Sequence, residues 1–166
     1  MCIRDRSVTL GYGETVTDNN FGLNLDPNEI VPGGDCRSPG FWKTNLKKIL
    51  GYQNGNHQVS EADMIEYCNA VYTLFFDEVF GSADAATGGD GLSLQEALDI
   101  INTKDSTANK LRRQLLTGEL DYVSDDYQAD DQELFGYVLW YCEYILTNGI
   151  SGEYETWKDI LDSYWV

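Results

Sequence analysis

Hydrophobic and polar positions change their period near residue 40, and this change divides the chain. Between Val8 and Leu25, apolar residues alternate with polar ones in short runs separated by Asp18-Asn19-Asn20, a pattern typical of strands joined by a turn. Two or three such strands cannot bury a core alone, so they must pair with something outside this chain or lie on the helical part. We therefore interpret residues 8–25 as the terminal strands of an upstream β domain.

The next segment has the composition of a linker. Residues 26–40 contain all three prolines of the chain and Gly33-Gly34. From Phe41 onwards, apolar residues recur every three or four positions, which predicts about five or six helices. The expected fold is therefore mainly α, a helical bundle at residues 41–166 preceded by a short β segment and a Pro/Gly linker.

The strongest helical pattern begins at Ser60, where Asp63 completes a capping pair. Its apolar residues cover a wide face, which predicts a central, largely buried helix. The residues of that face are Met64, Cys68, Val71, Phe75 and Val79, widened by Ile65, Tyr72 and Phe76.

Later helix boundaries also follow from capping signals. Ser93 with Glu96 opens one helix, and Asp105 or Ser106 caps another that is expected to end at Gly118. An acidic loop is expected from Asp121 to Asp126. Three acids then lie in the first turn of a long helix, where they complement its dipole. Asn148-Gly149 is expected to end this helix, and a last helix is expected over residues 153–164.

The charge balance excludes some partners. The chain has 11 Lys and Arg against 28 Asp and Glu, a formal net charge of −17. This field repels phosphate backbones, so nucleic acids and anionic membrane surfaces are not expected as partners. No apolar run approaches the ~20 residues of a membrane span. A solvated acidic surface is the simplest explanation, and binding of cations or of basic partners is the alternative.

The cysteines and the first residues bear on the compartment. Cys2, Cys36, Cys68 and Cys142 do not have metal-ligand spacing, and export would permit a disulfide. The sequence leaves open how Cys36, Cys68 and Cys142 pair. Residues 1–7 (MCIRDRS) have no apolar core of a signal peptide and are interpreted as an artefact at the end of an assembled metagenomic read. The true N-terminus and an export signal are then expected upstream.

No catalytic residue is assigned from the sequence. His57 is the single histidine, lies in a Gly/Asn-rich segment and has no nucleophile motif to serve, so it is expected to be a solvated loop residue. A hydrolase with two facing carboxylates remains an alternative. The many acids of this chain are no evidence for one, because some pair would have the right separation by chance.

A calcium site is the more specific hypothesis, although no cofactor is required by the sequence. Acids crowd the segment that leads into the long helix, and Ca²⁺ takes 6–8 oxygen ligands from such loops. Helix capping explains the same acids without a metal. The candidate ligands are Asp121, Asp125, Asp126, Asp130 and Asp131; the other acidic loop, with Asp84 and Asp90, departs from EF-hand spacing.

Aromatic and strand residues are the candidates for an interface. Tyrosines concentrate near the C-terminus, where they fit either a binding surface or a core with hydroxyl groups at its rim. The unpaired strands are the second candidate, through addition to a sheet of a neighbouring chain. The candidate interface residues are Val8, Leu10, Phe21, Leu23, Tyr137, Tyr141 and Tyr144.

Residues 36–45 carry a recognisable motif, CRSPGFWKTN. It resembles the opening of a bacterial secreted domain family that begins C…SPGYWKNH. Residues 92–120 and the pattern of Trp157, Ile160, Leu161 and Tyr164 are comparable with later parts of that family. The family's histidine after asparagine is absent here, since Leu46 follows Asn45, so no metal or catalytic role is carried over. Within the motif, Phe41 and Trp42 are expected in the core, and a sugar-stacking platform is the alternative.

The N-terminal strands carry a second resemblance, through the string GETVTDNNFGL, to the closing strands of prealbumin-like or SdrD B-like domains of bacterial surface proteins. Together the two resemblances imply a secreted, cell-surface module without established enzymatic activity. The expected partner is a protein or a glycan at the cell surface, in adhesion, or further copies in assembly. A polysaccharide hydrolase and a calcium-stabilised spacer are the alternatives.

Overall fold

A computed structural model describes residues 26–75, 92–124 and 126–165. Within these ranges the chain is mainly helical, which confirms the expected class, and its extended contacts amount to one isolated bridge. The β segment predicted at residues 8–25 lies outside the described residues, as do Phe76 and Val79. The helices are α1 (Pro39–Ile49), α2 (Glu61–Phe75), α3 (Leu94–Asn102), α4 (Thr107–Val123), α5 (Gln132–Thr147), a short 3₁₀ helix (Ser151–Glu153) and α6 (Tyr154–Asp162).

The capping signals correctly located the helix starts. Ser60 Oγ accepts a hydrogen bond from Asp63 N at 3.1 Å, and Ser93 forms a full capping box with Glu96. Ser106, and not Asp105, caps α4 by accepting from Asn109 N at 3.2 Å. These side chains satisfy backbone N–H groups that have no partner inside the helix.

The central helix is α4, and the prediction that α2 has this place is wrong. Every residue from Gln114 to Asp121 is buried. One face of α4 contributes Leu116 and Leu120 to a core shared with α1, α2 and α3. Another face contributes Leu111 and Leu115 to a core shared with α5 and α6. A helix with two apolar faces has to lie between two layers.

Helix α2 covers one side of this arrangement. Met64, Cys68 and Val71 are buried, whereas Ile65 is 44% and Leu74 is 52% exposed. The prediction drawn from this wide apolar face therefore overestimated the burial of α2, because two of its apolar residues face solvent.

Helix α4 does not end at Gly118 but continues to Val123. Gly118 lies where α4 and α5 come closest: a Cβ atom there would lie 2.6 Å from Leu139 Cδ2 and 3.2 Å from Phe135 Cζ. This glycine therefore marks close helix packing instead of a helix end. As a consequence, Asp121 lies on a helix and not in the expected acidic loop.

The second half of the predicted linker is bound to the helical domain. We call residues 33–38 the strap. Gly34 forms an antiparallel bridge with Ala129, Asp35 N donates to Gln128 O at 2.9 Å, and Asp130 N donates to Gly33 O at 3.0 Å. Gly34 has φ +115°, and a side chain there would meet the backbone of Gln128. The strap then leads directly into α1, which begins at Pro39 instead of Phe41.

Across the described helices, none is long and apolar enough to cross a membrane.

We expect Gly118→Ala to destabilise the fold. Its methyl group would overlap Leu139, and overpacking costs about 1–3 kcal/mol. Leu139 is itself 0% exposed and has no open space to move into, so the cost should lie above the ~1 kcal/mol that alanine gains over glycine inside a helix. Urea unfolding followed by circular dichroism measures the change, with Gly152→Ala as the control because nothing lies within 4 Å of a Cβ there. Equal stability of the two variants would contradict the close packing of α4 on α5.

Candidate functional site

The motif at residues 36–45 is attached to α4 through a buried carboxyl group. Trp42 and Asp121 are both 0% exposed. The indole Nε1–H of Trp42 donates to Asp121 Oδ1 at 3.0 Å, and the backbone N–H of Arg37 donates to Asp121 Oδ2 at 3.1 Å. Asp121 therefore holds the strap and α1 together on the central helix. The burial of Trp42 confirms core packing and excludes this ring from a sugar-stacking platform.

Burial also changes the ionisation of Asp121. Removal from water raises the pKa of this carboxyl group to about 8, although the two N–H donors and the charge of Arg37 act to lower it. At neutral pH the group is mainly protonated in the folded protein. A neutral carboxyl group avoids most of the cost of burying an ion.

An aromatic cluster surrounds this contact. Trp42 meets Phe41, Tyr127 and Tyr67 edge to face, with ring centroids 5.2, 5.7 and 6.2 Å away. The guanidinium of Arg37 lies 4.7 Å from the ring centroid of Tyr127 and 5.7 Å from that of Phe41. Phe41 is half-buried and its ring is already in contact with the side chain of Arg37.

The last residue of the motif, Asn45, holds the segment before α2. It is 3% exposed, and its Oδ1 accepts hydrogen bonds from Gln58 N at 2.6 Å and Val59 N at 3.1 Å. His57 lies in this exposed segment, with its Nδ1 2.7 Å from Val59 O. The position of His57 agrees with the expectation of a loop residue.

A second buried carboxyl group lies on α4 beside α5. Glu119 is 0% exposed, and neither of its side-chain oxygens has a hydrogen-bond partner among the described residues. Burial, and then the charge of Glu143, raise the pKa of Glu119 well above its ordinary value. Burial raises the pKa of the Cys142 thiol too, with Glu119 and Glu143 adding to it. Burial therefore favours the neutral form of Glu119 in the folded protein.

The five acids of the calcium hypothesis have different environments. Asp121 is buried and bonded as described, and Asp125 lies outside the described residues. Asp126, Asp130 and Asp131 are exposed, and Asp131 Oδ1 caps α5 by accepting from Leu134 N at 2.9 Å. Among the side chains that the structure describes, no three His, Cys, Asp or Glu residues are grouped as metal ligands. Calcium binding stays a prediction.

Two of the predicted tyrosines, Tyr141 and Tyr144, pack against the core. Tyr137, Tyr141 and Tyr144 are all half-buried on α5. Tyr141 OH donates to Glu153 Oε2 at 2.9 Å, and Tyr137 OH donates to Glu133 Oε1 at 3.3 Å. This side of the molecule is therefore both aromatic and acidic. The other candidate interface residues, Val8, Leu10, Phe21 and Leu23, lie outside the described residues.

The three described cysteines are buried free thiols. Cys36 and Cys142 belong to the core formed with α5 and α6, whereas Cys68 belongs to the core formed with α1–α3. Burial is the main cause that raises the pKa of Cys36 and of Cys68 to about 12, so both thiols are protonated at neutral pH.

Sequence reasoning missed the two buried carboxyl groups on α4. The interpretation of Gly118 as a helix end placed Glu119 and Asp121 outside the helix. A signal was present: Leu116, Leu120 and Val123 continue one apolar face, and Leu111, Leu115 and Tyr122 continue the other. A helix with two apolar faces carries its acids between buried surfaces.

Comparison of the chain with models of protein families, with curated proteins and with solved structures gave no match. The resemblance of residues 36–45 to a secreted domain family therefore stays a prediction. The function has to be argued from the residues themselves.

Asp121→Asn should change how stability depends on pH. Because the folded pKa is about 8 and the ordinary value is 3.8, the folded protein alone keeps this proton between those values. Stability of the wild type should therefore fall as pH rises from about 4 to about 8. The variant should lose this part of the dependence of stability on pH. Its side chain has a single oxygen, so one of the two N–H donors is left unpaired, which should lower the free energy of unfolding by about 1–3 kcal/mol. Urea unfolding at several pH values measures the pH dependence and the loss of stability. The same pH dependence in the variant and the wild type would contradict a raised pKa of Asp121.

Glu119→Gln should also flatten the dependence of stability on pH, because it replaces a buried carboxyl group with a raised pKa by an amide that does not titrate. The wild type should lose stability as pH rises above 4.5 towards the raised folded pKa, and the variant should lose less. Thermal melts across this pH range test it. Glu155→Gln is the matched control because the Glu155 side chain is 63% exposed. The same slope in both variants would show that Glu119 titrates normally.

Proposed function

We propose that this chain is a binding or assembly module of a bacterial cell-surface protein, acting outside the cell and without catalysis. The observation that carries the proposal is the burial of Trp42 and Asp121. Together they use the motif of residues 36–45 to fix a chain segment onto a helical domain. A motif with this role connects modules. The resemblance of the same residues to a secreted domain family supports the compartment.

The environments of the acidic groups favour binding over catalysis. Carboxyl groups with strongly raised pKa values are the first candidates for acid–base chemistry. Here these are Glu119 and Asp121, and both are 0% exposed, so a substrate does not reach them. A glycoside hydrolase would need two carboxyl groups facing each other across an open cleft.

The strap supports assembly by strand addition. It fixes the chain at Gly33, so the strands predicted at residues 8–25 are joined to the domain by residues 26–32 alone. Seven residues span at most about 25 Å. Asp26 shortens this reach, since its backbone O accepts from Glu29 N at 3.0 Å in a turn. Strands held this close to a folded domain would present one consistent orientation to a neighbouring chain.

The aromatic and acidic side of α5 is the surface on which we place a bound protein or glycan. Trp140 and Tyr144 stack with ring centroids 6.0 Å apart and an interplanar angle of 21°. Tyr137 adds a hydroxyl group that is bonded to Glu133. Half-buried aromatic rings with polar ends are enriched in binding surfaces.

Removal of residues 1–25 tests assembly. The cut leaves the strap and its contacts with Gln128 and Asp121 in place, so helicity by circular dichroism and the melting temperature should stay unchanged. Analytical ultracentrifugation of the full chain should show large assemblies, and the shortened chain should lose them. As a matched variant, Leu10→Asp with Phe21→Asp in the full chain should have the same effect. Equal assembly of the shortened and the full chain would rule out strand addition.

A further inference from the structure

We propose that Lys43, Lys47, Lys104 and Arg113 form a docking surface for the acidic face of α6 of a second copy, joining copies head to tail. We call these four residues the basic cluster. The inference rests on the proposed function, because it supplies the contact between helical domains within an assembly.

The basic cluster is brought together by packing. Lys43 and Lys47 are one turn apart on α1, and α1 packs against both α3 and α4. Lys104 lies in the turn between α3 and α4, and Arg113 is on α4. The pKa of Lys43 is lowered, first by burial and then by the charges of Lys47, Arg113 and Lys104.

These cations have no acidic partner among the described residues. No described carboxylate lies within 4.0 Å of a charged nitrogen in the basic cluster, whereas Lys158 on α6 contacts three. Arg113 Nε is buried without a hydrogen-bond acceptor. Like charges one helical turn apart are destabilising by a few tenths of a kcal/mol. Within the residues that the structure describes, the charges of the basic cluster are therefore available to an anionic partner.

The chain carries the complementary surface on the other side of α4. Residues 126–165 contain nine acids and one base, Lys158, whereas α1 has three lysines and no acid. Glu155 and Asp159 are exposed on α6, four residues apart, and with Asp162 they surround Lys158, so this group of three acids and one base keeps a net charge of −2. Lys43 and Lys47 have the same spacing on α1, so two helices side by side can pair both charges at once, about 6 Å apart along each axis.

A second copy fits better than an unrelated anionic polymer because this spacing matches and because the two surfaces lie on different layers of one chain. Such a contact is heterologous and continues from copy to copy. Exposed ion pairs contribute about 0.2–1 kcal/mol each, so the contact is weak alone. It becomes effective where strand addition already holds copies together.

The test is a charge swap in the full chain, with the concentration at half-maximal assembly measured by ultracentrifugation. Lys43→Glu with Lys47→Glu should raise this concentration about tenfold, and Glu155→Lys with Asp159→Lys should do the same. The quadruple variant combines changes of −4 and +4 and so keeps the net charge of −17. It should return the concentration to the wild-type value. Lys110→Glu, outside the basic cluster, is the control and should have little effect.

Failure of the swap to restore assembly would overturn the inference. If the lysine changes weaken binding to polyglutamate while the acidic changes do nothing, the partner is an anionic polymer and not a second copy. If removal of residues 1–25 abolishes assembly and no charge variant alters it, strand addition stands and the basic cluster is not an interface. If the charge variants raise the concentration at half-maximal assembly but the truncation leaves assembly unchanged, strand addition is ruled out and the head-to-tail contact is supported.

Discussion

The fold depends on a central helix that is buried on both sides, and the Asp121 contact decides how the N-terminal elements meet it. Leu111 and Leu115 face one core, and Leu116 and Leu120 face the other. Between Gln114 and Asp121 this helix has no exposed position on which its acids can lie. Asp121 is hydrogen-bonded by Trp42 and by the strap, whereas Glu119 has no hydrogen-bond partner among the described residues. One side chain thereby links α4, α1 and the strap.

Local signals in the sequence were sufficient to predict the class of fold and most of the helix starts. Ser60, Ser93, Ser106 and Asp131 each cap a helix, because capping depends on residues within one turn. Gly149, at φ +67°, follows the end of α5 as expected.

What local patterns missed depends on contacts between distant residues. Gly118 looks like a helix end, yet it is a packing contact with Leu139, which is far along the chain. The strap looks like a linker, yet its backbone bonds reach Gln128. The ring of Trp42 was expected in the core, but its carboxyl partner was not, since a separation of 79 residues leaves no local signal.

The residues that hold the fold together differ from the surfaces that a partner can reach. The motif residues Trp42 and Asn45 are buried and structural, whereas the surfaces available to a partner carry separated charge: lysines on α1, acids on α5 and α6. Charge of this kind guides orientation between partners more than it adds affinity. Copies in an assembly have to meet in a defined orientation, and the strap and the basic cluster would both help to set it.

The most direct test of the central contact is a double-mutant cycle between Trp42→Phe and Asp121→Asn, measured by urea unfolding at pH 6. Phenylalanine keeps an aromatic ring in the core but removes the indole N–H, and the cycle cancels effects of each change that do not involve the other residue. We predict a coupling free energy of about 1 kcal/mol or more, within the range of residues in direct contact. Additive effects, with a coupling free energy near zero, would show that Asp121 does not hold Trp42.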